Sequence, residues 1–431
     1  MLTEIRKEDH KELRTYLDSR TQEIDADILM KVTSILKEVR QNQDAACREY
    51  TKKFDGVEVT DFRVSEEEID EAEKQCSEAF KDAMVKAAAN IRSFHEAQIQ
   101  RSYIQQKEMG IYLGQRVLPL AAVGIYVPGG RAQYPSSVLM NAIPAHVAGV
   151  HRIVMVTPPN KEGKINPNIA YAARLAGVTE IYKIGGAQAV AALAYGTKSI
   201  PSVDKIVGPG NIFVAAAKKL VYGKVDIDMI AGPSEILVIA DAGANPVYVA
   251  ADLLSQAEHD PMASAILLTT SRKLLEEVNI ELRKQTDVLP KKEIVEQSLK
   301  NFGKSIVCDS IEECIAFANA IAPEHLELCV ADPMRYLNEV VNAGSVFLGY
   351  YTCESIGDYF GGTNHVLPTS GTARFSSALG VDAFIKKSSF LHYTQEALDA
   401  YGQYIIDMAE QEQLEAHANA ARVRMGHGKE D

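Results

Sequence analysis

The sequence lacks several features that would assign it to common protein classes. Its six cysteines form no C-x-x-C pair, so we expect reduced thiols rather than a disulfide framework or a thiolate zinc site. No apolar run approaches the roughly 20 residues that a membrane-spanning helix needs, and the charged segment 1–9 holds no apolar signal sequence. We therefore expect a soluble, cytoplasmic protein.

Basic clusters are also missing, which bears on the partners of the protein. Lys and Arg number 45 against 58 Asp and Glu, a formal net charge of −13, and they form no long basic run. We therefore expect neither nucleic acid nor an anionic membrane surface as a partner. A small cationic or zwitterionic substrate is compatible with this charge. The 431 residues, 46% of them hydrophobic, are enough for two or more domains.

The glycine fingerprint of dinucleotide-binding folds, G-x-G-x-x-G, is absent as well. Gly208, Pro209 and Gly210 come nearest, but Phe213 stands where the third glycine would be. The pattern alone therefore does not establish a dinucleotide site. Several glycine turns do precede helix-patterned segments, where backbone N–H groups and the helix dipole suit a phosphate or carboxylate. Tight turns with no ligand fit the same sequence.

From residue 118 onward the chain repeats a strand–turn–helix pattern. Four units begin at 121–127, 152–157, 180–184 and 204–207, and a second α/β stretch starts at 236. The pattern predicts parallel sheets with helices on both faces and ligands at the carboxyl ends of the strands, beside the glycine turns.

The two ends of the chain differ from this central pattern. Residues 1–110 are charged and helix-patterned, with Ser65 as a predicted N-cap and Glu68 at the capping-box position. After Phe375 we expect loops and helices, with residues 395–425 forming one long amphipathic helix or two.

Two residue pairs could carry chemistry. Gln256 and His259 are three apart on a helical pattern and could bind one metal ion, although an exposed polar face fits the same spacing. Glu324 and His325 adjoin at a predicted helix-to-strand junction. Their side chains suit proton transfer, although a solvated loop pair is the alternative.

Three further residues are candidates on weaker patterns. Asp358 and His365 lie on a glycine-rich segment that could fold tightly enough for both to face one site. His417 lies on the C-terminal helical pattern, where a lone histidine is more often a surface residue than a metal ligand.

Taken together, nine segments resemble the histidinol dehydrogenase family. They occur in the order of that family and lie between residues 124 and 420 of the 431. The segments are GIYVPGG (124–130), IGGAQ (184–188), GPGN (208–211), AGPSE (231–235), SQAEHDP (255–261), APEHL (322–326), GDY (357–359), NHVLPT (364–369) and EAHANA (415–420).

The resemblance implies an α/β fold. It consists of two incomplete Rossmann-like, doubly wound domains without the glycine fingerprint, and smaller helical N- and C-terminal segments. The implied parts are an N-terminal helical segment at 1–20, a larger α/β domain with metal and catalytic residues at 21–125 and 234–376, an NAD domain at 126–233, and a C-terminal helical segment at 377–431 that contacts a partner subunit.

The resemblance also implies an activity and its cofactors. These are the two-step oxidation of L-histidinol through L-histidinal to L-histidine, the last step of histidine biosynthesis, with NAD and one zinc ion per subunit. It further implies a homodimer with shared active sites, in which Glu412 and His417 come from the partner chain.

Residue roles follow from the resemblance position by position. His325 would be the general base, and Glu324 would activate the water that adds to the aldehyde. Zinc, which would position the substrate, would be held by Gln256, His259, Asp358 and His417. The substrate would be contacted by Ser234, Gln256, His259, His325, Asp358, His365, Glu412 and His417. NAD would be contacted by Tyr126, Gln188 and Asn211.

Three other functions stay open at this point. A relative in the same family could oxidise another diol or amino alcohol, such as a sulfonated propanediol, although Glu412 and His417 favour histidinol. A zinc hydrolase would use Glu324 to activate a metal-bound water and would need no dinucleotide. A non-catalytic interaction protein would leave the acid, base and ligand side chains at strand ends unexplained.

Overall fold

The computed structural model describes residues 1–20, 24–108, 110–129, 134–230 and 232–425. Gly130 and Ala231, which belong to two of the family-like segments, lie outside the described residues. All six cysteines are free, as expected. Within the described ranges no helix is long and apolar enough to cross a bilayer.

The strands, in chain order, are β1 (Thr3–Glu4), β2 (Tyr103–Gln106), β3 (Ile111–Pro119), β4 (Ala122–Tyr126), β5 (Arg152–Thr157), β6 (Glu180–Lys183), β7 (Lys205–Val207), β8 (Asp226–Ile227), β9 (Glu235–Ala240), β10 (Ser264–Thr269), β11 (Gly303–Val307), β12 (His325–Cys329), β13 (Ser345–Leu348) and β14 (Ile385–Tyr393).

The helices, in chain order, are α1 (His10–Arg20), α2 (Ala26–Asn42), α3 (Asp44–Asp55), α4 (Glu66–Gln75), α5 (Glu78–Glu96), α6 (Pro135–Val147), α7 (Pro167–Ala176), α8 (Gly186–Tyr195), α9 (Ile212–Val221), α10 (Pro246–Ala257), α11 (Arg272–Thr286), α12 (Lys292–Phe302), α13 (Ile311–Ile321), α14 (Pro333–Tyr336), α15 (Glu354–Tyr359), α16 (Gln395–Gln411) and α17 (Glu415–Arg422).

A six-stranded parallel sheet runs in the order β1-β11-β10-β9-β12-β13. Strands β9 and β10 are buried on both faces, which explains why they are continuous apolar runs rather than alternating ones. Helices α1 and α13 pack on one face, and α10, α11 and α12 pack on the other. Counted from β9, the strands follow the 3-2-1-4-5 order of a Rossmann fold, with β1 added at one edge.

A five-stranded parallel sheet repeats this order as β6-β5-β4-β7-β8. Helices α2, α8 and α9 cover one face, and α6 packs against β4 and β5. Each sheet therefore contains five of the six strands of a complete Rossmann sheet in the usual order. The expected fold class, two incomplete Rossmann-like sheets, is confirmed.

By compactness the chain divides into a larger unit, Met1–Gln98 with Ala121–Phe384, and a smaller one, Ile99–Leu120 with Ile385–Asp431. Both parallel sheets belong to the larger unit. The smaller unit holds a three-stranded antiparallel sheet, β14-β3-β2, together with the packed pair α16 and α17. The domain boundaries that the resemblance implies, at 20/21, 125/126, 233/234 and 376/377, stay predictions.

The structure tests the local predictions made for Ser65, Glu68 and the segment after Phe375. The side chain of Ser65 accepts a hydrogen bond from the Glu68 backbone N–H, so the predicted N-cap is confirmed. The Glu68 carboxylate instead binds Lys183, 2.9 Å away, and does not close a capping box. After Phe375 the helices expected within 395–425 are present as α16 and α17. The prediction missed the strand Ile385–Tyr393, whose mostly polar, exposed residues show no buried periodicity.

Candidate active site

The candidate catalytic residues meet at the amino ends of two neighbouring strands of the six-stranded sheet. Glu324 directly precedes β12, and His325 is the first residue of that strand. Strand β9 begins at Glu235, and the parallel register pairs His325 with Ile236. The usual rule for open α/β sheets places ligands at the carboxyl ends. In this protein the glycine turns of the five-stranded sheet follow that rule. Glu324 and His325 do not follow it, because they lie at the amino end of their strand.

The backbone of Glu235 contacts both members of the pair. Its N–H donates to Oε2 of Glu324 at 2.8 Å, and its carbonyl oxygen lies 3.1 Å from Nδ1 of His325. Because a carbonyl oxygen can only accept, Nδ1 carries a proton, and in the neutral form of the imidazole the lone pair is on Nε2. Nε2 faces Oδ1 of Asp358 at 3.4 Å without forming a hydrogen bond to it. The base nitrogen of His325 therefore faces away from the strand.

Burial and charge tune this pair strongly. Burial raises the pKa of the Glu324 carboxyl to about 8. Burial by itself lowers the pKa of His325, but the carboxylates of Glu324 and Asp358 outweigh it and raise that pKa to about 10. Both groups are almost fully buried. Such a coupled acid and imidazole in one pocket are suited to moving protons.

Two helices carry the candidate metal ligands toward the same end of the sheet. Gln256 lies in the last turn of α10, and His259 follows the helix end, where the backbone dipole favours a cation. Asp358 lies on α15. The side-chain nitrogen of Gln256 lies 3.3 Å from Nδ1 of His325, and the amide also hydrogen-bonds Glu354.

His259 and Asp358 offer an imidazole and a carboxylate, which zinc commonly takes in proteins, and Gln256 offers a carboxamide, a less common ligand, at the same cavity. Burial lowers the pKa of His259, which favours the neutral imidazole that a metal needs. The pKa of Asp358 is also lowered, because His325 outweighs the effect of burial, so its carboxylate stays charged. These three residues therefore fit a zinc ion on chemical grounds.

A cavity of about 760 Å³ joins these residues to the five-stranded sheet. Ser234 and His365 line it, and the side-chain oxygen of Ser137 lies 3.3 Å from Nε2 of His365. At its far side the cavity reaches the turn 208–210 and Asn211, at the amino end of α9. This turn lies at the carboxyl ends of the adjacent strands β4 and β7, where the strand order reverses, as expected for a dinucleotide site.

Tyr126 and Gln188, the other two proposed NAD contacts, do not line this cavity. Tyr126 is the last residue of β4, and Gln188 lies in the first turn of α8. The hydroxyl of Tyr126 accepts a hydrogen bond from the N–H of Gly186 at 3.0 Å. Both polar atoms of the Gln188 amide are buried without a partner among the described residues. A buried amide with no partner is costly unless a ligand or solvent satisfies it, which is compatible with a cofactor contact.

Glu412 and His417 belong to the smaller unit. Glu412 is the C-cap residue that follows α16, His417 lies in α17, and both side chains are exposed.

Sequence reasoning missed several residues of the site. Glu354 is nearly fully buried, accepts a hydrogen bond from the Ser255 hydroxyl at 3.0 Å and has its pKa raised by burial to about 7. Its i, i+4 spacing to Asp358 was a usable signal, since such residues share one helix face. Arg20 and Glu235 were also missed, because 215 residues separate these two partners.

Known proteins of one family resemble this chain over nearly its whole length. A sequence profile named Histidinol dehydrogenase matches residues 18–425. A histidinol dehydrogenase of Clostridium acetobutylicum is 55% identical over 408 residues, 95% of either chain. One of Bacillus cereus is 54% identical over 94% of either chain. The crystal structure of histidinol dehydrogenase from Elizabethkingia anophelis superposes with a TM-score of 0.93 at 44% identity, covering 98% of both chains.

The chain belongs to the histidinol dehydrogenase family. Proteins of this family are NAD-dependent oxidoreductases that use zinc and catalyse the last step of histidine biosynthesis. Family membership therefore removes the zinc hydrolase and the non-catalytic interaction protein from the alternatives.

Proposed function

We propose that the chain oxidises L-histidinol through L-histidinal to L-histidine with two NAD at the cavity described above. The observation that carries the proposal is the convergence of Glu324, His325 and Asp358 at one end of a cavity whose other end is the 208–210 turn. The proposed proton-transfer residues and metal ligands thus line the same cavity as the N-terminus of α9, and a helix N-terminus is suited to bind a phosphate.

His325 is the general base in this scheme. Its Nε2 accepts the proton of the substrate hydroxyl while hydride leaves for the nicotinamide. Glu324, in its ionised form, takes a proton from the water that adds to the aldehyde. The resulting hydrate gives up the second hydride, and the product is the carboxylate.

Gln256, His259 and Asp358 would hold the zinc ion, with Ser234 and His365 beside the substrate. When bound, zinc supplies a positive charge that orients the imidazole and amino nitrogens of the substrate and offsets the Asp358 charge beside His325. Tyr126, Gln188 and Asn211 would contact NAD.

We further propose a homodimer in which His417 of the partner subunit completes the zinc ligands and Glu412 of the partner subunit contacts the substrate. The support is the family resemblance of the segment 415–420 and its distance in sequence from the other three ligands. Exchange of a terminal element is a low-cost route to a symmetric dimer.

The test is the yield of NADH with L-histidinol. Purified protein should form about two NADH for each histidinol consumed, as the hydride count of an alcohol-to-acid oxidation requires. A chelator should abolish this turnover but leave NAD binding intact, since the proposed zinc and NAD residues are distinct. One NADH for each histidinol, with free aldehyde, would contradict the second step.

The remaining alternative within the family is a dehydrogenase of another diol or amino alcohol. It is tested in the same assay with a sulfonated propanediol in place of histidinol. Turnover of the propanediol without turnover of histidinol would show that the proposed substrate is wrong. The proposed roles of NAD, zinc and the Glu324–His325 pair would be unaffected.

A further inference from the structure

A buried ion pair lies directly behind the candidate catalytic pair. Arg20, the last residue of α1, donates from Nη2 to Oε2 of Glu235 at 3.1 Å, and only 4% of each side chain is exposed. The second carboxylate oxygen of Glu235 accepts from the backbone N–H of Ser370 at 3.1 Å. The Glu235 side chain is therefore held at both oxygens by two distant segments of the chain.

The backbone of this same residue holds the catalytic side chains. The N–H of Glu235 donates to Glu324, and its carbonyl oxygen accepts from Nδ1 of His325. These two peptide groups set the orientation of the Glu324 carboxyl and the tautomer of the His325 imidazole. A shift of the backbone at residue 235 would therefore reorient both the Glu324 carboxyl and the His325 imidazole.

Stability alone does not account for this ion pair. Removing two charges from water is expensive, and well-packed apolar residues at such sites are often as stable or more so. Nε and Nη1 of Arg20 are moreover buried without a partner among the described residues. Burial also raises the pKa of the Glu235 carboxyl, which marks the charged form as unfavourable here.

We propose that Arg20 and Glu235 are positioning residues for the oxidation: their ion pair fixes the peptide groups that orient Glu324 and His325. This inference rests on the proposed roles of those two residues. The helix α1 thereby contributes to the site although it has no side chain that lines the described cavity.

The key variant is the double substitution Arg20→Met with Glu235→Gln, which removes both charges together and leaves no buried charge unpaired. We expect it to fold and to bind zinc and NAD as the wild type does. Its turnover should fall at least tenfold, and its NADH yield should drop from about two toward one for each histidinol consumed, with aldehyde released, because the misplaced Glu324 fails in the second step. Arg20→Lys, which can keep the ion pair, should retain more activity than Arg20→Met.

The matched control is Arg152→Met. It breaks another Arg–carboxylate pair, with Nε of Arg152 2.8 Å from Oε1 of Glu180, at the amino ends of β5 and β6. We expect lower stability but an unchanged NADH yield. A double variant that keeps wild-type turnover and the full NADH yield would show that Arg20–Glu235 is only a structural tether.

A second readout does not depend on activity. With ¹⁵N-labelled histidine, the Nδ1 proton of His325 should give a hydrogen-bonded resonance, assigned by its loss in His325→Asn. The double variant should shift or lose this resonance, and Arg152→Met should keep it. An unchanged resonance in the double variant would overturn the positioning role. A wild type inactive on histidinol, with the shift still present in the variant, would overturn the proposed function and leave the positioning role intact.

Discussion

At the scale of single residues, Glu324 and His325 are neighbours in the chain but differ in what they contact. Glu324 accepts from a backbone N–H and lies in a site that favours its neutral form. His325 is fixed through Nδ1 and leaves Nε2 to the cavity. We therefore expect their substitutions to affect different steps.

Replacing Glu324 by Gln keeps an oxygen that accepts from Glu235 but removes the ability to take a proton. Oxidation of the alcohol should stay near the wild-type rate, whereas consumption of the aldehyde should slow by roughly 10²–10⁴, the usual loss for a general base. His325→Asn should slow both steps. Single-turnover NADH formation, started separately from histidinol and from histidinal, distinguishes the two. Equal losses confined to the alcohol step would contradict this division.

Gly208 lies in the turn 208–210, where NAD is proposed to bind, and this position has no room for a side chain. Its φ is +108°, and a Cβ there would lie 2.2 Å from the carbonyl oxygen of Tyr126. The turn is held by Asp228, which accepts from the Gly208 N–H at 2.8 Å, and by Lys218, which donates to the Gly208 carbonyl at 2.9 Å. The turn therefore has little room to move.

Gly208→Ala should weaken NAD binding at least tenfold and cost roughly 1–3 kcal/mol beyond the backbone strain, as overpacking does. The control is Gly223→Ala. That residue also has positive φ, +94°, but a Cβ there would meet nothing within 4 Å. It should lose only the roughly 1–2 kcal/mol of left-handed strain and bind NAD normally. Isothermal titration with NAD and thermal unfolding report the two effects, and equal NAD affinities in both variants would argue against a rigid turn at the cofactor.

At the scale of elements, the proposed NAD contact Asn211 is also the N-cap residue of α9. The side-chain oxygen of Asn211 accepts from the backbone N–H groups of Phe213 and Val214 and so caps the helix. Only its NH₂ group is then left for NAD.

Asn211→Asp keeps the cap, since Asn and Asp are about equally good N-cap residues, whereas Asn211→Ala should cost about 1 kcal/mol. The Asp variant should therefore unfold at nearly the wild-type temperature yet bind NAD at least tenfold more weakly, because a donor is lost and a negative charge is placed near the phosphates. Thermal unfolding and NAD titration test both statements. Normal NAD affinity in the Asp variant would reduce Asn211 to a helix cap.

At the scale of the whole molecule, the proposed shared site predicts complementation between two inactive variants. His325→Asn and His417→Asn, dissociated and reassembled together, give mixed dimers with one doubly impaired site and one intact site if His417 acts on the partner. Random pairing makes about half of the dimers mixed, so activity should recover to about a quarter of wild type.

Differential tags on the two variants verify that mixed dimers have formed. If His417 acts within its own chain, every site keeps one lesion and mixing restores nothing. Verified mixed dimers without recovery would therefore end the proposal of a shared site.

Much of the fold was readable from the sequence, because it rests on local signals. Buried parallel strands such as Glu235–Ala240 are continuous apolar runs, and turns such as 208–210 contain glycine for conformational reasons. The Glu324–His325 pair was a candidate because adjacency in the chain guarantees proximity. Gln256 and His259 were candidates because their spacing suits one metal ion.

Other features depend on contacts between distant parts of the chain. Strand β14 has an exposed, mostly polar sequence, and only its pairing with β3 makes it a strand. The location of the site at the amino ends of β9 and β12 follows from their being neighbours, which strand order decides and local pattern does not. The same holds for the contact of Arg20 with Glu235. A local sequence pattern reports which face of an element is apolar, but a pairing between distant segments leaves no periodicity in either of them.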